Sequence, residues 1–245
     1  LTFTSVNWNV AQSVTVTGID DTIVDGSVSG SVTISVDDAN SDDAFDSVAD
    51  KTVQVTTSDN DTPGFSVSSS ALTVNEAGSS STFTIVLSAQ PVTQVTFSIT
   101  VSDSTEASVS PSSITFTAAN WSSPQIVTVT GGDDSQADGD IVSSVKVSVD
   151  DPSSDDAFDP LADRTISVTT VDNDVAGFSV VGGPLTVSET GTSASFTVVL
   201  TAQPLTNVVL TINASDTSEI LVTPAVLTFN SLKMELTSNG DSHGC

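Results

Sequence analysis

Residues 1–116 return without a gap at 114–229: laid over itself at an offset of 113, the chain is identical at 63 of 116 aligned positions. A period that long is one whole domain, because solenoid units repeat every 20 to 50 residues or so. The repeat divides the chain into the second half of one module (1–63), a complete module (64–176), the first half of the next (177–229) and a divergent tail (230–245). In the tail, Lys233-Met234 stands where the repeat predicts Asn-Trp, and no function attaches to it. The chain opens at Leu1 in mid-pattern, without an initiator Met or a signal peptide, and is read as a segment of something longer.

Inside the complete repeat the apolar period is two, as in Val95, Phe97, Ile99 and Val101, and again in Val145, Val147 and Val149, with Thr and Ser between. That alternation marks half-buried strands. Gly, Pro, Asn and Asp separate the runs, which predicts strands A 65–75, B 82–88, C 94–102, D 112–117, E 125–131, F 141–149 and G 164–171. No stretch keeps a 3.6 period, so helix is expected to be nearly absent. The expected fold class is all-β: tandem seven-stranded antiparallel β-sandwich modules of immunoglobulin-like type.

Strands that reverse at each connection put alternate loops at the same end. Glu76 follows A, Asp103 and Glu106 follow C, Asp133, Asp134 and Asp138 follow E, and Asp172 and Asp174 follow G. All of these share the end where the chain leaves the module. The opposite end, with Gln90-Pro91, the Asn120-Trp121 corner and the acidic loop 150–163, is expected to abut the acidic end of the preceding module. Carboxylates brought together without Lys or Arg destabilise one another unless some are protonated or a cation sits among them. An all-oxygen set on flexible loops suits Ca²⁺, which takes six to eight oxygens, better than octahedral Mg²⁺ or a soft metal. Residue by residue, the competing reading is that Asp ends strands and forms turns. The set as a whole favours the metal, since the acids recur in matching loops. Asp134 to Gly139 superficially looks like an EF-hand loop, but Gln136 sits at the third ligand position and Val145 where the bidentate Glu belongs.

Composition then removes whole classes of function. Four Lys and Arg against 31 Asp and Glu give a formal charge of −27, so nucleic acid and anionic membrane surfaces would be repelled. With 37% hydrophobic residues the chain is no disordered acidic tail. His243 and Cys245 are the sole His and Cys, which leaves no zinc site, disulfide framework or histidine-based catalytic pair in the body. No apolar run reaches 18 residues, so membrane insertion is not expected.

Leu72-Thr-Val-Asn-Glu76, Ile114-Thr-Phe116, Ile126-Val-Thr-Val129 running into Asp133-Asp134, and the closing Asp172-Asn173-Asp174 together resemble the Calx-beta domain, a calcium-binding sandwich of exchangers, integrin β4 and large adhesin-like proteins. The likeness covers 64–176 and both flanking halves. It implies calcium ligation by Glu76, Asp103, Asp133, Asp134, Asp172 and Asp174, with Asp138 in place of the acids that follow the pair. By the repeat, Asp20, Asp21, Asp25, Asp59 and Asp61 are the matching candidates in the first half-module, and Glu189 and Asp216 in the last. The chain departs from the family pattern in lacking an Asp-Tyr element before strand D. Ser-Asp-Asp-Ala-Phe-Asp at 41–46 and 154–159 is read as a solvated loop pinned by Phe45 or Phe158, and Trp8 and Trp121 as corner packing residues. Of three sequons, Asn213 and Asn120 are candidates for glycosylation, while Asn60 is discounted within an acidic loop.

The leading expectation is a non-enzymatic, extracellular, calcium-stiffened stalk, adhesin or filament segment at a cell surface, whose partners are calcium, neighbouring modules and copies of itself. One alternative is a subunit that assembles head to tail, since 177–229 and 1–63 together tile one repeat. Another is an adhesion module that binds a glycan or a cell-surface partner.

Overall fold

Alternating Val, Ile and Phe on one face and Thr and Ser on the other become strands through the complete module, 64–176, and over parts of its two flanks. A computed structural model of the chain describes residues 1–231 and the strand Glu235–Leu236. The rest of the tail, with His243 and Cys245, lies outside the described residues.

In chain order the strands are β1 (Val28–Ile34), β2 (Lys51–Thr57), β3 (Phe65–Val67), β4 (Ala71–Asn75), β5 (Ser80–Leu87), β6 (Val95–Val101), β7 (Ala107–Ser110), β8 (Ser113–Phe116), β9 (Gln125–Gly131), β10 (Ile141–Val149), β11 (Arg164–Val171), β12 (Phe178–Val181), β13 (Thr197–Leu200), β14 (Val208–Thr211), β15 (Val226–Phe229) and β16 (Glu235–Leu236). Helix among the described residues is limited to three short 3-10 turns. A five-stranded sheet, β4-β11-β10-β6-β8, faces a four-stranded one, β3-β5-β9-β7. Their inner faces supply Phe83, Ile85, Val127 and Val129 from one sheet and Phe97, Ile99, Phe116, Val145, Val147, Ile166 and Val168 from the other, all buried in a single core. Phe97 stands at its centre, with ring centroids 4.6 Å from Phe65 and 6.0 Å, edge-on, from Phe116. Burying each such ring contributes about 1.5–3 kcal/mol. This is the immunoglobulin-like all-β sandwich expected.

Two details correct the expected seven strands. The first strand is not continuous over 65–75 but changes sheets within Ser68-Ser69-Ser70. The Ser68 amide donates to Thr84 O on β5 at 3.0 Å, whereas the Ser167 amide on β11 donates to Ser70 O at 3.0 Å. Serines are small enough, and ready enough to bond locally, to make the crossing: Ser69 Oγ donates to Ala71 O at 2.7 Å. As a consequence β4 runs parallel to β11, so the pairing is not wholly antiparallel. Strand β7 was not expected either, because Ala107 and Val109 are too short an alternation to stand out.

The flanking halves carry the same alternation with fewer partners. β1 and β2 form a two-stranded ladder with Val28, Ile34 and Val53 exposed. β12-β13-β16 and β14-β15 enclose a small cluster of Val198, Leu200, Leu227 and Phe229. The loop at 150–163 shows what a complete partner set does: Phe158 is fully buried, and Asp155 Oδ2 accepts from the Thr93 amide at 2.8 Å. Its copy in the first half leaves Phe45 58% exposed. Trp121 packs against the core as a corner residue, while Trp8 is exposed.

Candidate metal centre

The parallel pairing of β4 with β11 places Glu76 beside Asp172. Asn75 pairs with Val171, and the Glu76 amide donates to Val171 O at 3.2 Å. On the other side, β9 ends in Gly131-Gly132. A β-carbon on Gly131 would lie 2.1 Å from Asn75 O, and one on Gly132 would lie 2.1 Å from Thr105 O. Two adjacent glycines therefore let the segment before Glu76 and the segment before Glu106 close on the start of the Asp133-Asp134 loop. Further along that loop Gly139, at φ 82°, turns the chain so that its amide donates to Asp172 Oδ2 at 2.7 Å.

Two groups of carboxylates result. Glu76, Asp172 and Asp174 can each offer an oxygen so that the three lie within 4.8 Å of one another, and so can Glu106, Asp134 and Asp138. Glu76 and Glu106 are buried and the four aspartates half-buried. Burial raises Glu76 above the usual carboxylate range; the Asn173 amide, donating to its Oε2 at 3.1 Å, opposes this, and the charges of Asp172, Asp134 and Asp138 add to it. Glu106 is raised first by burial and then by Asp138, Asp103, Glu76 and Asp134. Each glutamate thus feels acids of both groups. Asp174 is raised by desolvation and by Asp172, Asp133, Asp134 and Asp138. Asp172 is lowered, because the amides of Asp174 and Gly139 donate to it at 2.6 and 2.7 Å.

Glu106 Oε2 and Asp138 Oδ1 are buried without a hydrogen-bond partner. A buried acceptor left unsatisfied is costly, and two of them in one acidic group are what a hard cation would satisfy. The donor set is oxygen alone, which fits Ca²⁺. Arg164 lies over the Phe65 ring at 5.7 Å, and Lys146 pairs with Asp163 at 3.2 Å.

Of the sequence candidates, Glu76, Asp172 and Asp174 meet in one group, and Asp134 and Asp138 in the other. Asp133 is exposed and accepts from Asn173 Nδ2 at 3.5 Å. Asp103 stands outside both groups. It is exposed and caps its own turn, accepting from the Thr105 amide at 3.0 Å and Thr105 Oγ1 at 2.6 Å, bonds that hold it below its usual range. Asp216 does the same with Ser218, at 2.9 and 2.6 Å. The third carboxylate of the second group is Glu106, which the resemblance left out of the ligand set. Its signal was the recurrence of the same Glu at 219, three residues after Asp216.

The first half-module keeps the bonding pattern of the closing aspartates, but its acids form no group of three within 4.8 Å among the described residues. Asp21, Asp25, Asp59 and Asp61 line one cleft of about 410 Å³. Asp59 accepts from the amides of Asp61 at 2.7 Å and Gly26 at 2.8 Å, which lower it, as the matching bonds lower Asp172. Asp61 is raised by burial and by Asp59, Asp20, Asp21 and Asp25, as Asp174 is by its neighbours. Glu189 is exposed in the last half-module. Asn213 is exposed after β14, whereas Asn120 is engaged in its own turn, its Oδ1 accepting from the Thr117 amide at 2.6 Å.

No protein-family model and no curated protein matches the sequence. Among solved structures the chain is similar to SSP-19, an MSP-domain protein like family member of Caenorhabditis elegans, at 20% identity over 43% of this chain and 97% of that one, with a TM-score of 0.33. It is also similar to domains 1–6 of the surface layer protein SbsC, at 15% identity over 53% of this chain and 16% of that one, with a TM-score of 0.31. A third likeness is to the CsuC-CsuE chaperone-tip adhesion subunit complex of Acinetobacter baumannii, at 12% identity, 74% and 90% coverage and a TM-score of 0.35. At such scores these likenesses carry nothing about activity, partner or location.

Proposed function

We propose that the chain is a non-enzymatic segment of an extracellular or cell-surface array of sandwich modules that binds Ca²⁺ at the acidic end of each module and is stiffened by it. The observation that carries this reading is the Glu106, Asp134 and Asp138 group, with two buried oxygens that lack a partner, next to a second group built from Glu76, Asp172 and Asp174. The Calx-beta resemblance of the same loops supports it. Ca²⁺ would be held by Glu106, Asp134 and Asp138 and by Glu76, Asp172 and Asp174, offsetting their mutual repulsion. Because these loops adjoin the linker after Asp174, neutralising them would order the junction with the next module. A ligand that binds the native state alone raises its stability by an amount set by concentration over dissociation constant. Thermal unfolding in millimolar Ca²⁺, in Mg²⁺ and in chelator tests the reading: a rise specific to Ca²⁺ supports it, and three coincident transitions reject it.

Exposure favours a second reading, in which copies of the chain complete one another. Phe65 is 7% exposed but its repeat partner Phe178 is 56% exposed, and Phe158 is fully buried while Phe45 is 58% exposed. The pairings β10 with β6 and β11 with β4 define how β1 would pair with β14, and β2 with residues 184–188, if a second copy supplied them. Light scattering across a wide concentration range tests this: growth into assemblies supports it, and a strict monomer rejects it.

A further inference from the structure

The contacts that join consecutive repeats fall at the same place twice. Ile23 forms a parallel bridge with Gln90, and Gln136 forms a parallel bridge with Gln203, each residue 113 positions after its counterpart. At the first junction the Gln90 amide donates to Thr22 O at 2.8 Å and the Val24 amide to Gln90 O at 3.0 Å. At the second, the Gln203 amide donates to Ser135 O at 2.6 Å. The linkers are fastened alike, by the Ser88 amide on Gly64 O and the Thr201 amide on Gly177 O, both at 2.9 Å.

We propose that this bridge is a docking interface that sets a constant angle between modules. The acidic loop of one module is its docking segment, and the Ala-Gln-Pro turn of the next module, 89–91 or 202–204, is the acceptor. The acceptor is identical at both junctions, whereas the docking residue is Ile23 in one and Gln136 in the other. That asymmetry is expected when backbone groups carry the contact, as in strand addition to a sheet edge. Ala89 and Ala202 are buried, and Val24 packs against the core that begins at Phe65. Ala137 takes the place of Val24 at the second junction and lines a cleft of about 280 Å³ with Phe178, Leu200 and Pro204. The partner each module presents is therefore another module of the same kind bearing an Ala-Gln-Pro turn. This goes beyond the calcium reading, since the bonds run from backbone to backbone and need no cation.

Amide hydrogen exchange on the unmodified full chain, in Ca²⁺ and in chelator, tests the interface. The Gln90 and Gln203 amides are expected to exchange at least about tenfold more slowly than their intrinsic rates in both conditions. Unprotected amides in both conditions would overturn the interface, and protection in Ca²⁺ alone would overturn its independence of the cation. Protection in both conditions without any calcium-dependent change in unfolding would leave the interface standing and reject the calcium reading. A second check joins Ile23→Cys with Gln90→Cys in a Cys245→Ser background, since bridged residues lie within the roughly 4.4–6.8 Å that a disulfide spans. The crosslink is expected to form faster than in a Trp8→Cys/Gln90→Cys control; an equal or slower rate would overturn the proposal.

Discussion

The amide of Gly132 donates to the backbone oxygen of Glu106 at 2.8 Å, and this contact carries a buried glutamate into a group of acids that its own loop would otherwise hold apart. A methyl group at Gly132 would lie 2.1 Å from Thr105 O, so Gly132→Ala must push the two segments apart. The expected cost is about 1–3 kcal/mol, as for overpacking elsewhere, together with weaker Ca²⁺ binding. Urea unfolding and a calcium titration of the variant check both.

Glu106→Gln removes a buried carboxylate whose charged neighbours Asp138, Asp103, Glu76 and Asp134 all oppose its ionisation. In chelator the variant is expected to be more stable than the parent by on the order of 1 kcal/mol, the scale of an uncompensated buried polar group. In Ca²⁺ the order reverses, because the variant gains less from the ion. Paired thermal melts show whether the sign changes.

Opposite shifts in the same loops predict a particular dependence on pH. Glu76 and Glu106 are raised above the ordinary glutamate value of 4.5, so their stability contribution is full below that pH and is lost as pH climbs through the folded values. Asp172 and Asp59 are lowered below 3.8, so theirs is present above that pH and lost on acidification. Without Ca²⁺, stability should fall as pH rises from the acid range toward neutrality. With Ca²⁺ the fall should be suppressed and binding should release protons. Calorimetry in buffers of different ionisation enthalpy measures that release.

Phe65 and Phe178 occupy the same position of the repeat in different surroundings, 7% and 56% exposed. Phe65→Ala is expected to cost about 3–5 kcal/mol and Phe178→Ala within about 0.5 kcal/mol, as at an exposed site. Denaturant unfolding of the two variants compares them directly.

Much of this was legible in the sequence, for a physical reason. Period two assigns Val95, Phe97 and Ile99 to the inside of a sandwich whatever the neighbouring strands are, and all three are buried. Strand reversal assigns the loop acids to one end, where Glu76, Asp172 and Asp174 form one group and Asp134 and Asp138 join another, while Asp103 and Asp133 stand outside both. The sheet switch at Ser68-Ser69-Ser70 was hidden, since three serines continue an alternation as readily as they break it. Yet the switch makes β4 parallel to β11 and puts Glu76 beside Asp172. Glu106 was passed over in favour of Asp103 because burial depends on Gly131-Gly132, a close approach between segments distant in sequence that no local pattern displays.

The central claim is that the acidic end of the module is a calcium site, and titration of the full chain with Ca²⁺ by isothermal calorimetry in excess Mg²⁺ tests it most directly. Saturable binding that survives the Mg²⁺ and is weakened in both Glu76→Gln and Glu106→Gln is the predicted result. No binding heat, or heat that Mg²⁺ abolishes and neither substitution alters, would contradict the claim and leave these aspartates as turn formers.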